Sequence, residues 1–326
     1  MDTIRCAIEQ QDYIKAFDLL KEYIASNPIY TDTIAILESS IYMGLGDFHA
    51  ALPCIQDGLK FNPINHELYF MLGMVYESFS EYNKAYLCYE NALFYCKDNK
   101  DDYTAIEEHF LSFTNETGTV VPKVSIILLN FNQLTYTKNC ITSIRDYCPA
   151  SSYEIICVDN GSLENPEEWL KTQPDIKYQI NPENLGFAGG CNVGIRMATP
   201  GNDIFLLNND TLLTENALFW LRMGLYEKEE IGASGAVQPL ITEIIGGHGK
   251  NIRVRRSVKE SPFNPVAFIP WVQRQGDLLE QPGSFWHCAT DGLVQHIEVI
   301  FRADLICFFN PHPAQASYVN RDRSDF

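Results

Sequence analysis

The sequence predicts a two-part chain: an all-α repeat region over residues 1–115, then an α/β unit with a parallel sheet over residues 121–326. Three observations predict it. Small and large residues recur with a period of about 34 through the first hundred positions. From Val124 onward, short β-rich apolar runs alternate with amphipathic stretches. Several of those runs end in clusters of Asn, Asp and Gly, the residues of turns and of polar sites.

The repeat comes first. Leu72-Gly73, Tyr76, Ala85, Tyr89 and Ala92 set the pattern. Shifted back by 34 residues, Tyr76 falls on Tyr42, Ala85 on Ala51 and Tyr89 on Ile55. A further shift of 35 puts Ala51 on Ala16, Ile55 on Leu20 and Pro63 on Pro28. Gly46-Asp47-Phe48 and Ser80-Glu81-Tyr82 break the helix pairs at equivalent places. Small residues let paired helices approach, and large ones fill the groove between them. A further helix around 101–113 is expected to cap the stack, because terminal repeats need a polar outer face. This pattern resembles the tetratricopeptide repeat over about residues 1–97. Two readings stand: a helical bundle without a partner, or a concave surface for a protein or for the neighbouring unit.

Asn115 to Thr119 is polar and ends the helical pattern. Val124 to Leu129 is a continuous apolar run and reads as a buried parallel strand. A helix is expected from Asn132 to Asp146, a strand from Tyr153 to Val158 and a helix near 166–172. A short strand from Lys177 to Ile180, a helix from Phe187 to Ala198 and a strand from Asp203 to Leu207 follow. Gly235 to Pro239 fits a fifth strand.

Ligands of open α/β sheets bind outside the carboxyl ends of the strands. Asp159 and Asp210, each following an apolar run, are therefore expected to share one site. Gly186, Gly190 and Gly194 lie four apart on one helix face, each costing about 1 kcal/mol relative to Ala. Such glycines allow close approach of a sheet or a ligand. Packing is expected of Gly194, and ligand approach of Gly186 and Asn184. No GxGxxG follows the first strand and no GxxxxGK[ST] occurs.

Four motifs together resemble the family 2 glycosyltransferases, which have the GT-A fold. They are Ile126-Ile127-Leu128-Leu129-Asn130-Phe131-Asn132, Val158 to Ser162, Asn184 to Asn192, and Leu207-Asn208-Asn209-Asp210-Thr211. The resemblance covers about residues 122–240 and looks closest to the rhamnosyltransferase-like branch. It implies an inverting, metal-dependent transferase. Its donor would be a nucleotide-diphosphate sugar, and its acceptor a glycan, a lipid-linked molecule or a protein. It implies that Asp159 accepts a hydrogen bond from the nucleobase and that Phe131 stacks on it, with Asn130 beside it. Asn184 and Gly186 would line the nucleotide-sugar site, as would Asn208 and Asn209. Asp210, alone ionised in its motif, would bind a divalent metal, Mn or Mg, with help from the phosphates. Phe131 also reads as a core aromatic.

An inverting transfer needs a base for the acceptor hydroxyl. The family places it in an acidic pair, and past Glu230 no two acidic residues are adjacent. Asp277, Glu280, Asp291 and Glu298 are isolated candidates, with His287 and His296, so no catalytic residue is assigned. Beyond about Ile245 the family pattern is lost. A non-catalytic interaction protein with a remnant nucleotide-sugar domain is the alternative. A nucleotidyltransferase would want a basic, glycine-rich loop after the first strand, and Asn130 to Gln133 offers none.

The net charge of −18 argues against nucleic acid as a partner. That excess lies wholly in residues 1–230, since residues 231–326 hold nine acidic and nine basic side chains. The basic run Arg253 to Lys259 reads as a solvated loop, or as a contact for a diphosphate or an anionic membrane. Ten cysteines without a CxxC pair suit a reducing compartment. No basic-then-apolar leader opens the sequence, and no apolar run reaches the ~18 residues of a membrane span. The expected location is cytoplasmic, with the inner face of the membrane as a second place of action.

Overall fold

In the computed structural model, structure is described for residues 1–27, 29–228, 231 and 233–236, and for four later strands by their backbone. Seven helices open the chain: α1 (Asp2–Glu9), α2 (Tyr13–Ser26), α3 (Asp32–Gly44), α4 (Phe48–Phe61), α5 (His66–Ser78), α6 (Tyr82–Cys96) and α7 (Lys100–Thr117).

The helices pair as hairpins with one recurring turn. Gln11, Gly46 and Ser80 all have left-handed φ, at 58°, 77° and 61°. In each turn the next amide reaches back five residues: Asp12 to the Ala7 carbonyl, Asp47 to Tyr42 and Glu81 to Tyr76. This is the usual closure of a helix by a left-handed residue. Asp12 and Asp47 then cap the following helices, accepting from the Lys15 and Ala50 amides. Ala16, Ala51 and Ala85 are fully buried, as are Leu20, Ile55 and Tyr89 one turn on. The small and large positions read from the period therefore fill the hairpin contacts. At Gly73 a Cβ would lie 2.4 Å from the Tyr89 ring, so only glycine admits that ring.

The α/β unit follows: β1 (Val124–Asn130), α8 (Leu134–Tyr147), β2 (Tyr153–Asp159), α9 (Glu167–Leu170), β3 (Ile176–Ile180), α10 (Gly186–Met197), β4 (Asp203–Asn208), α11 (Ala217–Leu225) and β5 (Ala233–Ala236). The helix expected from Asn132 begins two residues later, because Asn132 takes a left-handed φ of 55°. The later strands are β6 (Val266–Ile269), β7 (Trp286–Thr290), β8 (Leu293–Ile297) and β9 (Cys307–Phe309). The main sheet has the order β3-β2-β1-β4-β9-β5-β6. β3, β2, β1 and β4 run parallel, and β9 runs antiparallel to both β4 and β5. β7 and β8 form a separate hairpin.

The strands alternate their side chains between two layers. Ile126 and Leu128 face a core shared with α8 and α11, while Ile127 faces the core under α10. Helix α11 has two jobs. Leu218, Leu221 and Leu225 pack toward the sheet, and Phe219 and Met223 enter the core of the repeat hairpins. Phe219 meets Tyr69 edge-on at 5.1 Å. Beside it Arg222 donates to Glu90 and to the Pro122 carbonyl, and Asn91 donates to Asn216. The cores of the two regions thus meet at α11, where Trp220 and Tyr226 pack against both.

Eight cysteines are described, none in a disulfide, and six of them are buried. Among the described residues no helix is long and apolar enough to cross a membrane. The run Arg253 to Lys259 lies outside the described residues.

Candidate donor site at the sheet edge

The chain winds from β1 outward through β2 to β3, then returns to place β4 on the other side of β1. At such a switch point the loops leave in opposite directions and open a crevice at the strands' carboxyl ends. Register puts the candidates there together. Asn130 is opposite Asp159, and Leu129 is opposite Asn208.

One hydrogen-bonded chain ties these ends. Asn130 Nδ2 donates to Asp159 Oδ1 at 2.7 Å, and Thr137 Oγ1 donates to Asn130 Oδ1 at 2.8 Å. Asn209 Nδ2 donates to Thr137 Oγ1 at 3.0 Å. Asp159 at one end and the Asn208-Asn209-Asp210 turn at the other are therefore held by one rigid set of side chains. Asp159 is almost wholly buried. Ser162 also serves it: Oγ donates to Oδ1 at 2.5 Å and the amide to Oδ2 at 3.1 Å. With a single donor from the chain, Oδ2 keeps a lone pair for another partner.

Asn160 organises the second wall. Its Oδ1 accepts from Asn181 Nδ2 and the Leu185 amide, and its Nδ2 donates to Asn184 Oδ1 and the Gly186 carbonyl. Asn184 Oδ1 accepts from the Gly186 amide in turn. This fixes the start of α10 beside the site. The packing expected of Gly194 is present, and Gly190 shares it. A Cβ at Gly194 would lie 2.4 Å from Ile127, and one at Gly190 2.3 Å from Leu129, so both press on the sheet. Gly186 has open space around it and a φ of 72°, so its backbone conformation, not packing, demands glycine there.

Phe131 is 43% exposed, which removes it from the core and leaves its ring at the rim. Asn208 and Asn209 are half-buried, and Asp210 is exposed. Asp210 makes no hydrogen bond or ion pair among the described residues. An exposed, unpaired carboxylate beside amide oxygens is a hard oxygen donor set, which fits Mg or Mn better than a soft ion. Burial pushes the thiols of Cys140 and Cys157, under this edge, up to about 12. They stay protonated and serve as core.

Thr137, Ser162 and Asn160 hold these hydrogen-bond networks together, and sequence reasoning left them without a role. Asn160 and Ser162 sat inside a quoted motif, so the signal was present. Thr137 lies on an amphipathic helix and gave none. Among the candidates for the base, Asp277, Glu280, Asp291 and Glu298 lie outside the described residues. His287 and His296 face each other in the β7–β8 ladder, by backbone register.

No curated protein matches the chain significantly. Among solved structures, it is similar in part to the mannosyltransferase PcManGT from Pyrobaculum calidifontis, in complex with GDP-Man and Mn2+. That match has 21% identity and a TM-score of 0.32, covering 37% of each chain. Another match is S. aureus TarS 1–349 with UDP-GlcNAc, at 18% identity and a TM-score of 0.30. It covers 32% of this chain and 31% of that one. A third is GalNAc-T7 with UDP, GalNAc and Mn2+, at 17% identity and a TM-score of 0.32, covering 34% and 22%. Each match spans well under half of the neighbour's own length. The fold class expected from the sequence stands, a helical region followed by a parallel-sheet α/β unit, and residues 125–257 of that unit match the model of glycosyl transferase family 2.

Proposed function

We propose that the α/β unit binds a nucleotide-diphosphate sugar at this edge and transfers the sugar, with inversion, to a glycan, lipid-linked or protein acceptor. One observation carries the reading: the Asp159–Asn130–Thr137–Asn209 chain, which joins the two expected halves of a donor site at the switch point. Asp159, held by Asn130 and Ser162, offers Oδ2 to the nucleobase, and Phe131 stacks on it. Asn184 and Gly186 set the start of α10, whose first amides face the diphosphate. Asn208 and Asn209 orient the turn so that Asp210 meets a divalent metal, Mn or Mg. When bound, that ion neutralises the diphosphate as it leaves. The base that takes the acceptor proton comes from residues beyond 240, on the face opposite the diphosphate. Action at the cytoplasmic face of the membrane fits a lipid-linked acceptor.

The helical region is proposed to be a tetratricopeptide-like stack with no catalytic residue. The contact of α11 with its core supports an intramolecular role, and the remaining surface is left for a protein partner.

Calorimetry with UDP and GDP tests the donor site. Affinity in manganese should exceed affinity in chelator, and Asp210→Ala should abolish the difference. Equal affinity in both conditions would sink the metal assignment. A panel of nucleotide sugars, including an activated rhamnose, then separates the two readings of the unit. Release of nucleoside diphosphate marks a transferase. Metal-dependent binding without turnover, with or without acceptors, marks the interaction protein that the missing acidic pair favours.

A further inference from the structure

Three helix ends meet at one corner of the repeat region. His66 opens α5, Cys96 closes α6, and Asp102 lies in the first turn of α7. His66 Nε2 stands 3.0 Å from Asp102 Oδ2. One ligand atom from each of the three lies within 4.8 Å of the others, the one such group of His, Cys, Asp and Glu among the described residues. Cys96 is buried, His66 is 28% exposed and Asp102 52% exposed. We propose that His66, Cys96 and Asp102 bind a zinc ion that clips α7 to the last hairpin.

The donor set decides the ion. Imidazole, thiolate and carboxylate together suit Zn2+, whereas Mg2+ takes oxygen alone. Zinc bonds of about 2.0–2.3 Å place tetrahedral ligand atoms roughly 3.3–3.8 Å apart. The three atoms therefore close on the ion by a shift of roughly 1 Å, within reach of His and Asp rotamers at helix ends. The Asn99 carbonyl accepts from the Cys96 thiol at 3.6 Å, a contact released with the proton when zinc binds. Asn99 Nδ2 donates to Asp102 Oδ2 at 2.6 Å and orients that ligand. Such outer partners fix ligand direction. On binding, the Cys96 S–H bond is replaced by a sulfur–zinc bond, and the proton passes to solvent. The imidazole binds through its Nε2 lone pair, and water takes the fourth position.

The clip is separate from the Asp210 site in position and in chemistry. α7 leads directly into β1, so the ion pins the segment that joins the two regions.

The test uses the full chain, stripped of metal and titrated with cobalt(II) and then zinc alone. One equivalent of cobalt should give a thiolate-to-metal charge-transfer band. The band should vanish in Cys96→Ser and persist in Asp210→Ala. Zinc should raise the melting temperature of the native chain but not of Cys96→Ser. In His66→Gln, which keeps the thiol core intact, zinc affinity should fall by more than about tenfold. Absence of the band overturns the proposal. So does a band that survives Cys96→Ser, or one abolished by Cys6→Ser at the exposed cysteine.

Discussion

The two ends of the central sheet use the same kinds of side chain for opposite purposes. At the carboxyl end, Asn and Ser side chains fix Asp159, and Asp210 is exposed and unpaired among the described residues. At the amino end, charged groups are buried and held by partners, although Asp203 Oδ1 and Arg222 Nε have none among the described residues. Asp203 opens β4 wholly buried, with Tyr226 donating to its Oδ2. Arg222, 3% exposed, pairs with Glu90, and Lys84 bridges Glu81 and Glu227. Burial would lower Lys84, but Glu227 and Glu81 outweigh it and raise it. Glu154, further along that end, would be raised by burial, yet Lys177, Ser125 and Thr199 hold it at about 2. The difference teaches where charge is structural and where it is available for a ligand.

Substitutions sharpen the contrast, and the largest effect belongs to the buried end. Arg222→Ala leaves the largely covered Glu90 without its partner and should cost about 3–5 kcal/mol in denaturant unfolding. A loss under about 1 kcal/mol would break the comparison.

Asp203 gives the next effect, with the opposite sign. Burial raises its carboxyl from 3.8 to about 7, against a smaller downward pull from Tyr226 and Arg222. A group raised in the folded state favours folding at low pH, and that favour is lost as pH rises through about 7. Asp203→Asn should therefore match the native chain near pH 4 and gain on it up to about pH 7. The gain should be of order 3 kcal/mol, read from unfolding curves across that window. A difference that is flat with pH would contradict the assignment.

Gly194→Ala comes third. Its Cβ collides with Ile127, which is fixed in the sheet, and overpacking costs about 1–3 kcal/mol. Better helix propensity returns about 1 kcal/mol, so a net loss of up to about 2 kcal/mol is expected in thermal unfolding. At Gly186 the space is open, and a loss there would come from φ alone.

Asp210→Ala should change stability by less than about 0.5 kcal/mol, as an exposed position. Its effect belongs in metal-dependent nucleotide affinity. A folded chain with native stability and no metal dependence would place Asp210 firmly at the ligand end. Strong destabilisation would move it to the structural one.

Much of this was legible in sequence. The hairpin period was visible because Ala16, Ala51 and Ala85 answer to a helix contact that tolerates only small residues. β1, β2 and β4 were visible because both their faces are covered, which leaves unbroken apolar runs. The donor-site candidates were visible because Asn and Asp gather where those runs stop. Helix α11 was not foreseen. Its two apolar faces, Leu218-Leu221-Leu225 and Phe219-Met223, overlap into a run without clear periodicity, broken by Arg222. Its attachment to the repeats was equally hidden, since pairs such as Arg222 and Glu90 are distant in sequence. Thr137 was silent because its role depends on two strand ends that only the sheet brings together.

The order of synthesis gives the shared helix a consequence. The repeats leave the ribosome first, with Tyr69 and Leu87 facing a partner that does not yet exist. Helix α11 ends at Leu225, well over a hundred residues after α6 closes at Cys96. At about 5–20 residues per second, that face waits roughly 6–26 seconds uncovered. The nascent chain therefore passes through a stage in which its first finished region is sticky, and holding it apart from its neighbours becomes a chaperone's task.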